Sequence, residues 1–297
     1  MYQKIRLLLI ATALILGISA SSVVGVTADG NLLRGFDVPA TVPCCHGNSV
    51  QPAIYWPIGV TFDGTNLWYS QPCDCTSDIF LTTTNGVLLN TLREVNQAGA
   101  LAWDGNHLWV ASATRADLTC TASSTGCAFI TEVDVSTGNP IKVVDISAVF
   151  APDQMCGFID GLGWDTATGT LWVSPDIGCA NAFTNDPCHI GFIYNVDTSG
   201  NLLKRLQLPY SVAGVAKVGN NLYAVTCATS PRSIYKTDLN GNVISSFGSI
   251  SASGNRESPE SVAFDPVTFA PNCALWAVQD YGFPFDASLA AYQIACP

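Results

Sequence analysis

Two carboxylates, Asp160 and Glu260, hold the same place in two copies of a repeated phrase, one residue ahead of Gly161 in GLGWD and of Ser261 in SVAFD. If the copies are arranged round an axis, the two acids face its mouth, where with backbone carbonyls and waters they could hold Ca²⁺. The cysteines form a second group: there are twelve, and Cys44-Cys45-His46 and Cys188-His189 set imidazole beside thiol. No pair of C-x-x-C knuckles frames a zinc site, so the even count reads as disulfides. Cys120 with Cys127 is the most local pairing, and Cys273 with Cys296 joins the start of one strand to the end of its neighbour. A third group is the adjacent pair Tyr55 and Trp56, exposed aromatic candidates for ligand contact. Nucleophilic catalysis has little to draw on. His107 falls in a hairpin turn, His46 and His189 sit beside cysteines, and there is no Gly-x-Ser-x-Gly elbow, phosphate loop or His-Glu-x-x-His motif.

The elements that would position these groups come from a repeat. Five phrases share one pattern: GVTFDGTNLWYS from Gly59, ALAWDGNHLWVAS from Ala100, GLGWDTATGTLWVS from Gly161, GVAKVGNNLYAV from Gly214 and SVAFDPVTFAPNCALWAV from Ser261. Each is two strands and a turn, the second strand opening on Leu and an aromatic. A third strand, a Gly-containing turn and a fourth strand follow in four of the copies. The fifth stops after its third strand, LAAYQIACP, and the missing piece stands at the other end of the chain: Asp29-Gly30-Asn31-Leu32-Leu33-Arg34 reads like Ser199-Gly200-Asn201-Leu202-Leu203-Lys204. A last unit completed by the N-terminal strand describes an all-β, five-bladed β-propeller of four-stranded antiparallel blades.

Within the first strand of each phrase, large side chains (Val60, Phe62; Leu101, Trp103; Leu162, Trp164; Val262, Phe264) alternate with small ones, as wedge-shaped blades packed face to face require. Lys217 takes the place of Phe62 and Trp103, and the expectation is a packed stem with its head on solvent or a carboxylate. Asp63, Asp104, Asp165 and Asp265 close first strands, and Asp134, Asp197 and Asp238 precede hairpin turns; all read as turn chemistry. Long loops gather on one rim with most of the cysteines, leaving the tight hairpins on the other.

The remaining composition narrows the function classes. Of 297 residues 48% are apolar and 12% charged, which excludes a disordered chain, and a formal charge of −11 repels nucleic acid. Residues 1–28, with Lys4 and Arg6 before the apolar run from Leu7 to Ala20, follow the layout of an export signal, and residues 29–297 then form a single propeller domain. The expected location is secreted, extracellular or periplasmic, with no membrane span after signal removal.

The phrases Ser258-Pro259-Glu260-Ser261-Val262-Ala263-Phe264-Asp265 and Ile159-Asp160-Gly161-Leu162-Gly163-Trp164-Asp165 resemble the blade openings of NHL-repeat and gluconolactonase-type propellers, and IYKTDLNGNVI from Ile234 to Ile244 is similar to their third hairpin. The resemblance implies a divalent cation held by Glu, Asn and Asp at first-strand entrances. The matching positions are Ile58, Gly99, Asp160, Ala213 and Glu260. Three functions are thus in view: an exported binding module acting through its loop-rich rim on an extracellular protein, glycan or small molecule; a divalent-metal-dependent, lactonase-like hydrolase using Asp160 and Glu260 with Ca²⁺; and a structural extracellular component.

Overall fold

Four of the five copies of the repeat start as a hairpin shaped by one aspartate. Asp63 Oδ1 accepts the Thr65 and Asn66 backbone N–H groups at 2.9 and 2.7 Å, while its Oδ2 accepts the Trp68 indole N–H at 3.0 Å. Asp104 serves Asn106, His107 and Trp109 in the same way, and Asp265 serves Val267, Thr268 and Trp276. One side chain both bends the turn and pairs an indole N–H that burial would otherwise leave without a partner. The fourth copy has Val218 at this position and Tyr223 in place of Trp; there the carboxylate comes from Asp29, whose Oδ2 accepts the Tyr223 hydroxyl at 3.1 Å.

In this computed structural model, which describes residues 29–38, 45–46, 49–50, 57–71, 78–92, 98–112, 128–153, 155, 158–175, 190–227, 232–249, 258–280 and 287–297, the hairpins grow into five sheets. Strand β1 (Leu32–Asp37) comes first, followed by a two-stranded ladder of β2 (Cys45–His46) and β3 (Ser49–Val50). Blade one is β4 (Val60–Phe62), β5 (Asn66–Gln71), β6 (Asp78–Thr83) and β7 (Leu88–Leu92); blade two is β8 (Ala98–Trp103), β9 (Leu108–Ser112), β10 (Phe129–Val133) and β11 (Pro140–Asp145). The short helix α1 (Ser147–Phe150) leads to blade three, β12 (Ile159–Asp165), β13 (Thr170–Pro175), β14 (Gly191–Val196) and β15 (Leu202–Leu208). Blade four is β16 (Val212–Val218), β17 (Asn221–Thr226), β18 (Ser233–Asp238) and β19 (Val243–Gly248). Blade five is β20 (Ser258–Asp265), β21 (Cys273–Asp280) and β22 (Ala287–Ile294), completed by β1, with Leu32 opposite Tyr292 and Asp37 opposite Ser288.

The innermost strands β4, β8, β12, β16 and β20 pack in that order, and β20 returns to β4, so the ring closes as a five-bladed β-propeller. Side-chain size sets the fit between blades. Ala100 and Ala102 of one sheet share a core with Leu162 and Trp164 of the next, and Ala213 and Ala216 face Val262 and Phe264. Nearer the strand starts the ring is narrowest: a Cβ on Gly59 would lie 2.3 Å from the Gly99 carbonyl oxygen, and one on Gly161 would lie 2.5 Å from that of Ala213. Only glycine lets neighbouring backbones approach so closely. Ser70 fastens the same tier by donating from Oγ to the Gly99 carbonyl, and Ser174 donates likewise to Ala213.

Candidate functional site: the axial funnel

Past the glycine tier, towards the rim of the tight hairpins, large side chains take over on the inner strands. Phe62, Trp103, Trp164, Lys217 and Phe264 occupy one repeat position, two residues beyond Val60, Leu101, Leu162, Val215 and Val262. With Asp63, Asp104, Asp165 and Pro297 near the mouth, they line an axial cavity of about 550 Å³. The walls are also core: Phe62 is buried, and Trp164 stacks on Trp109 of the preceding blade with ring centroids 6.1 Å apart. Each aromatic therefore fills the wedge between two blades and turns the rest of its surface to the axis.

Lys217 is the exception in this aromatic ring. Its stem packs among the inner strands, and its Nζ lies 3.5 Å from Asp165 Oδ2, with both side chains 8% exposed. It also donates to the Gly219 carbonyl. The cavity lining thus combines one ammonium, paired with Asp165, with four aromatic side chains at the equivalent positions of the other blades. Asp165 is simultaneously held by the Ala167 N–H and the Trp172 indole N–H, so its orientation does not depend on the lysine alone.

Asp160 and Glu260 stand at the opposite end of the same strands, both buried. Glu260 meets the Arg232 guanidinium, which also donates to the Pro259 carbonyl at 3.5 Å. Ile58, Gly99 and Ala213 carry no side-chain donor, so these five entrance positions do not fit the cation set that the sequence resemblance implies. Tyr55, Trp56, Cys120 and Cys127 lie outside the described residues, as does most of the loop-rich rim. Cys273 and Cys296 are joined by a disulfide across β21 and the end of β22, with Cα atoms 5.1 Å apart.

The funnel escapes a reading of the sequence because its lining residues have a sufficient structural explanation as wedge fillers. The available signal was Lys217, a charge at a position that the other four copies give to aromatics. The sequence places its expected binding face among the long loops, most of which lie outside the described residues, whereas the described cavity opens among the hairpins.

In sequence, no protein-family model matches the chain, and neither does any curated protein. Among solved structures, the chain is similar to one titled hydrazine synthase from Kuenenia stuttgartiensis, at 17% identity and a TM-score of 0.42, covering 80% of this chain and 60% of that one. It is similar at 12% identity to a chain of a nidogen–laminin complex, with a TM-score of 0.43 and 77% and 76% of the two chains covered. The WD40 propeller domain of Doa1 gives 12% identity, a TM-score of 0.42 and coverages of 80% and 78%. The fold assignment here rests on strand order and ring closure.

Proposed function

We propose that this protein is an exported binding module whose axial funnel seats a small ligand with a flat apolar face, such as an aromatic or sugar ring. The observation that carries the reading is the cavity of about 550 Å³ walled by Phe62, Trp103, Trp164 and Phe264, with the ammonium of Lys217 among them and the carboxylates of Asp63, Asp104 and Asp165 towards its mouth. A concave, mainly apolar site with few polar groups is the usual form of a small-molecule seat. Export is supported by the arrangement of residues 1–28 and by the even number of cysteines, and the Cys273–Cys296 bridge suits an oxidising compartment.

Ligand-observed NMR against a panel of monosaccharides and aromatic carboxylic acids tests this. Binding to the native chain should weaken about tenfold or more in Trp103→Ala, a loss of the size that stacking one ring supplies. Lys217→Met should weaken only the anionic members. A panel without binders, or with binders indifferent to both substitutions, removes the funnel as a site. The hydrolase reading asks Ca²⁺ to bind where Arg232 already meets Glu260; a rise in melting temperature at millimolar Ca²⁺ that Glu260→Gln abolishes would restore it.

A further inference from the structure

Blade two carries a cluster that the repeat does not explain. His107 Nδ1 lies 2.9 Å from Glu132 Oε1 and 3.7 Å from Asp104 Oδ2, and the three donor atoms all lie within 4.8 Å of one another. Asp104 belongs to the scaffold, since every blade but the fourth has an aspartate there. The other two do not. The positions equivalent to His107, two residues before the second-strand aromatic, hold Asn66, Thr170, Asn221 and Ala274. The residues paired with that aromatic, where blade two has Glu132, are Leu81, Asn195, Lys236 and Ala291. Only here do an imidazole and a second carboxylate coincide with the scaffold acid.

We propose that Asp104, His107 and Glu132 bind one Zn²⁺ on the hairpin rim, through Asp104 Oδ2, His107 Nδ1 and Glu132 Oε1. Zinc–ligand bonds of about 2.0–2.1 Å at tetrahedral angles set neighbouring donors roughly 3.3 Å apart, and the observed separations of 2.9 and 3.7 Å lie on either side of that value. Asp104 is already oriented: Oδ1 accepts two backbone N–H groups, and Oδ2 gives one lone pair to the Trp109 indole N–H at 2.9 Å, leaving another for a metal. The carboxylate side chains are 13% and 16% exposed and His107 is 41% exposed, so the site is open on its solvent side. Two carboxylates and a neutral imidazole balance the charge of the ion and leave a fourth position for water. Asp104 also lines the funnel mouth, but the metal site stands whether or not the funnel takes a ligand.

Isothermal titration of the folded chain with ZnCl₂ at pH 7.5 tests the assignment, alongside His107→Ala and Glu132→Gln. The expected result is one Zn²⁺ per chain, bound at least tenfold more weakly by each variant, with unchanged melting temperatures in the metal-free proteins. Co²⁺ in place of Zn²⁺ should give the visible absorption bands of a four-coordinate site, and both substitutions should remove them. A wild-type chain that binds no Zn²⁺, or that binds it with the same affinity as both variants, overturns the proposal; in the second case the ion sits elsewhere.

Discussion

At the scale of single residues, the recurring Asp–Trp pair is the smallest unit that links sequence to fold. Its worth depends on burial. Asp265 is fully buried, so replacing it by Ala strands the buried Trp276 indole N–H and removes the acceptor of two turn N–H groups. Asp265→Ala should therefore cost about 2–4 kcal/mol in urea unfolding, as expected when a buried donor loses its acceptor and a turn loses its side-chain hydrogen bonds together. The half-buried Asp63, serving Trp68 in the same way, should cost less. Equal losses at the two sites would show that turn shape, not indole pairing, carries the energy. The same reasoning explains the departure in blade four, where Tyr223 replaces Trp and Asp29 replaces the missing turn acid. Burial and the neighbouring Asp29 carboxylate together push the Tyr223 phenol well above its ordinary range, so it remains a hydrogen-bond donor at any ordinary pH.

Elements are held by turns and by polar contacts between blades. Gly30 opens the turn into β1 at φ +103°, and a Cβ there would lie 2.7 Å from the Phe247 ring; Gly105 has φ +109° with nothing within 4 Å. Gly105→Ala should cost about 1–3 kcal/mol from backbone strain alone, and Gly30→Ala more, because Phe247 must also move. Thermal unfolding of the two variants side by side measures the difference. Between blades two and three, Asp153 follows α1 and accepts from Arg205 Nε at 2.7 Å and from the Tyr194 hydroxyl at 2.8 Å. Burial pulls its carboxyl upward, but the Arg205 and Tyr194 hydrogen bonds outweigh it and hold the carboxyl below the usual range. A carboxyl lowered by folding stabilises the native state above its unfolded value, about 3.9, and loses that contribution as pH falls through the folded value. Asp153→Asn should flatten the decline in melting temperature below about pH 4. An acid limb identical to the wild type would assign it to other carboxylates.

For the whole molecule, the decisive contact is between its ends. The β1–β22 ladder completes blade five, Asp29 reaches the Ala295 N–H, Tyr223 and Lys236, and the Cys273–Cys296 bridge secures β22 behind it. Without β1, β22 would present an unpaired edge. Replacing both Cys273 and Cys296 by Ser should lower stability by about 2–4 kcal/mol in guanidinium unfolding, since the bridge limits the unfolded chain, while leaving the ring closed. Removing residues 29–37 should be more damaging and convert the chain to associated forms visible by light scattering. Indifference to that truncation would mean that the blades do not depend on ring closure.

The amino-acid order alone determined the number of blades and the way the ring closes, because both follow from short-range signals: Asp-Gly turns, period-two alternation and the match between Asp29–Arg34 and Ser199–Lys204. It also marked Lys217 as a departure from its neighbours. Tertiary structure decided where the open space lies. Glycine lets the backbones close together near Asp160 and Glu260 and leaves the cavity at the other end, among aromatics that a linear reading assigns wholly to the core. The meeting of His107 with Glu132 likewise needed the register of β9 on β10, which brings together side chains 25 positions apart in the chain. Turn chemistry is local and legible; proximity across strands is set by packing and register, which no single stretch of sequence contains.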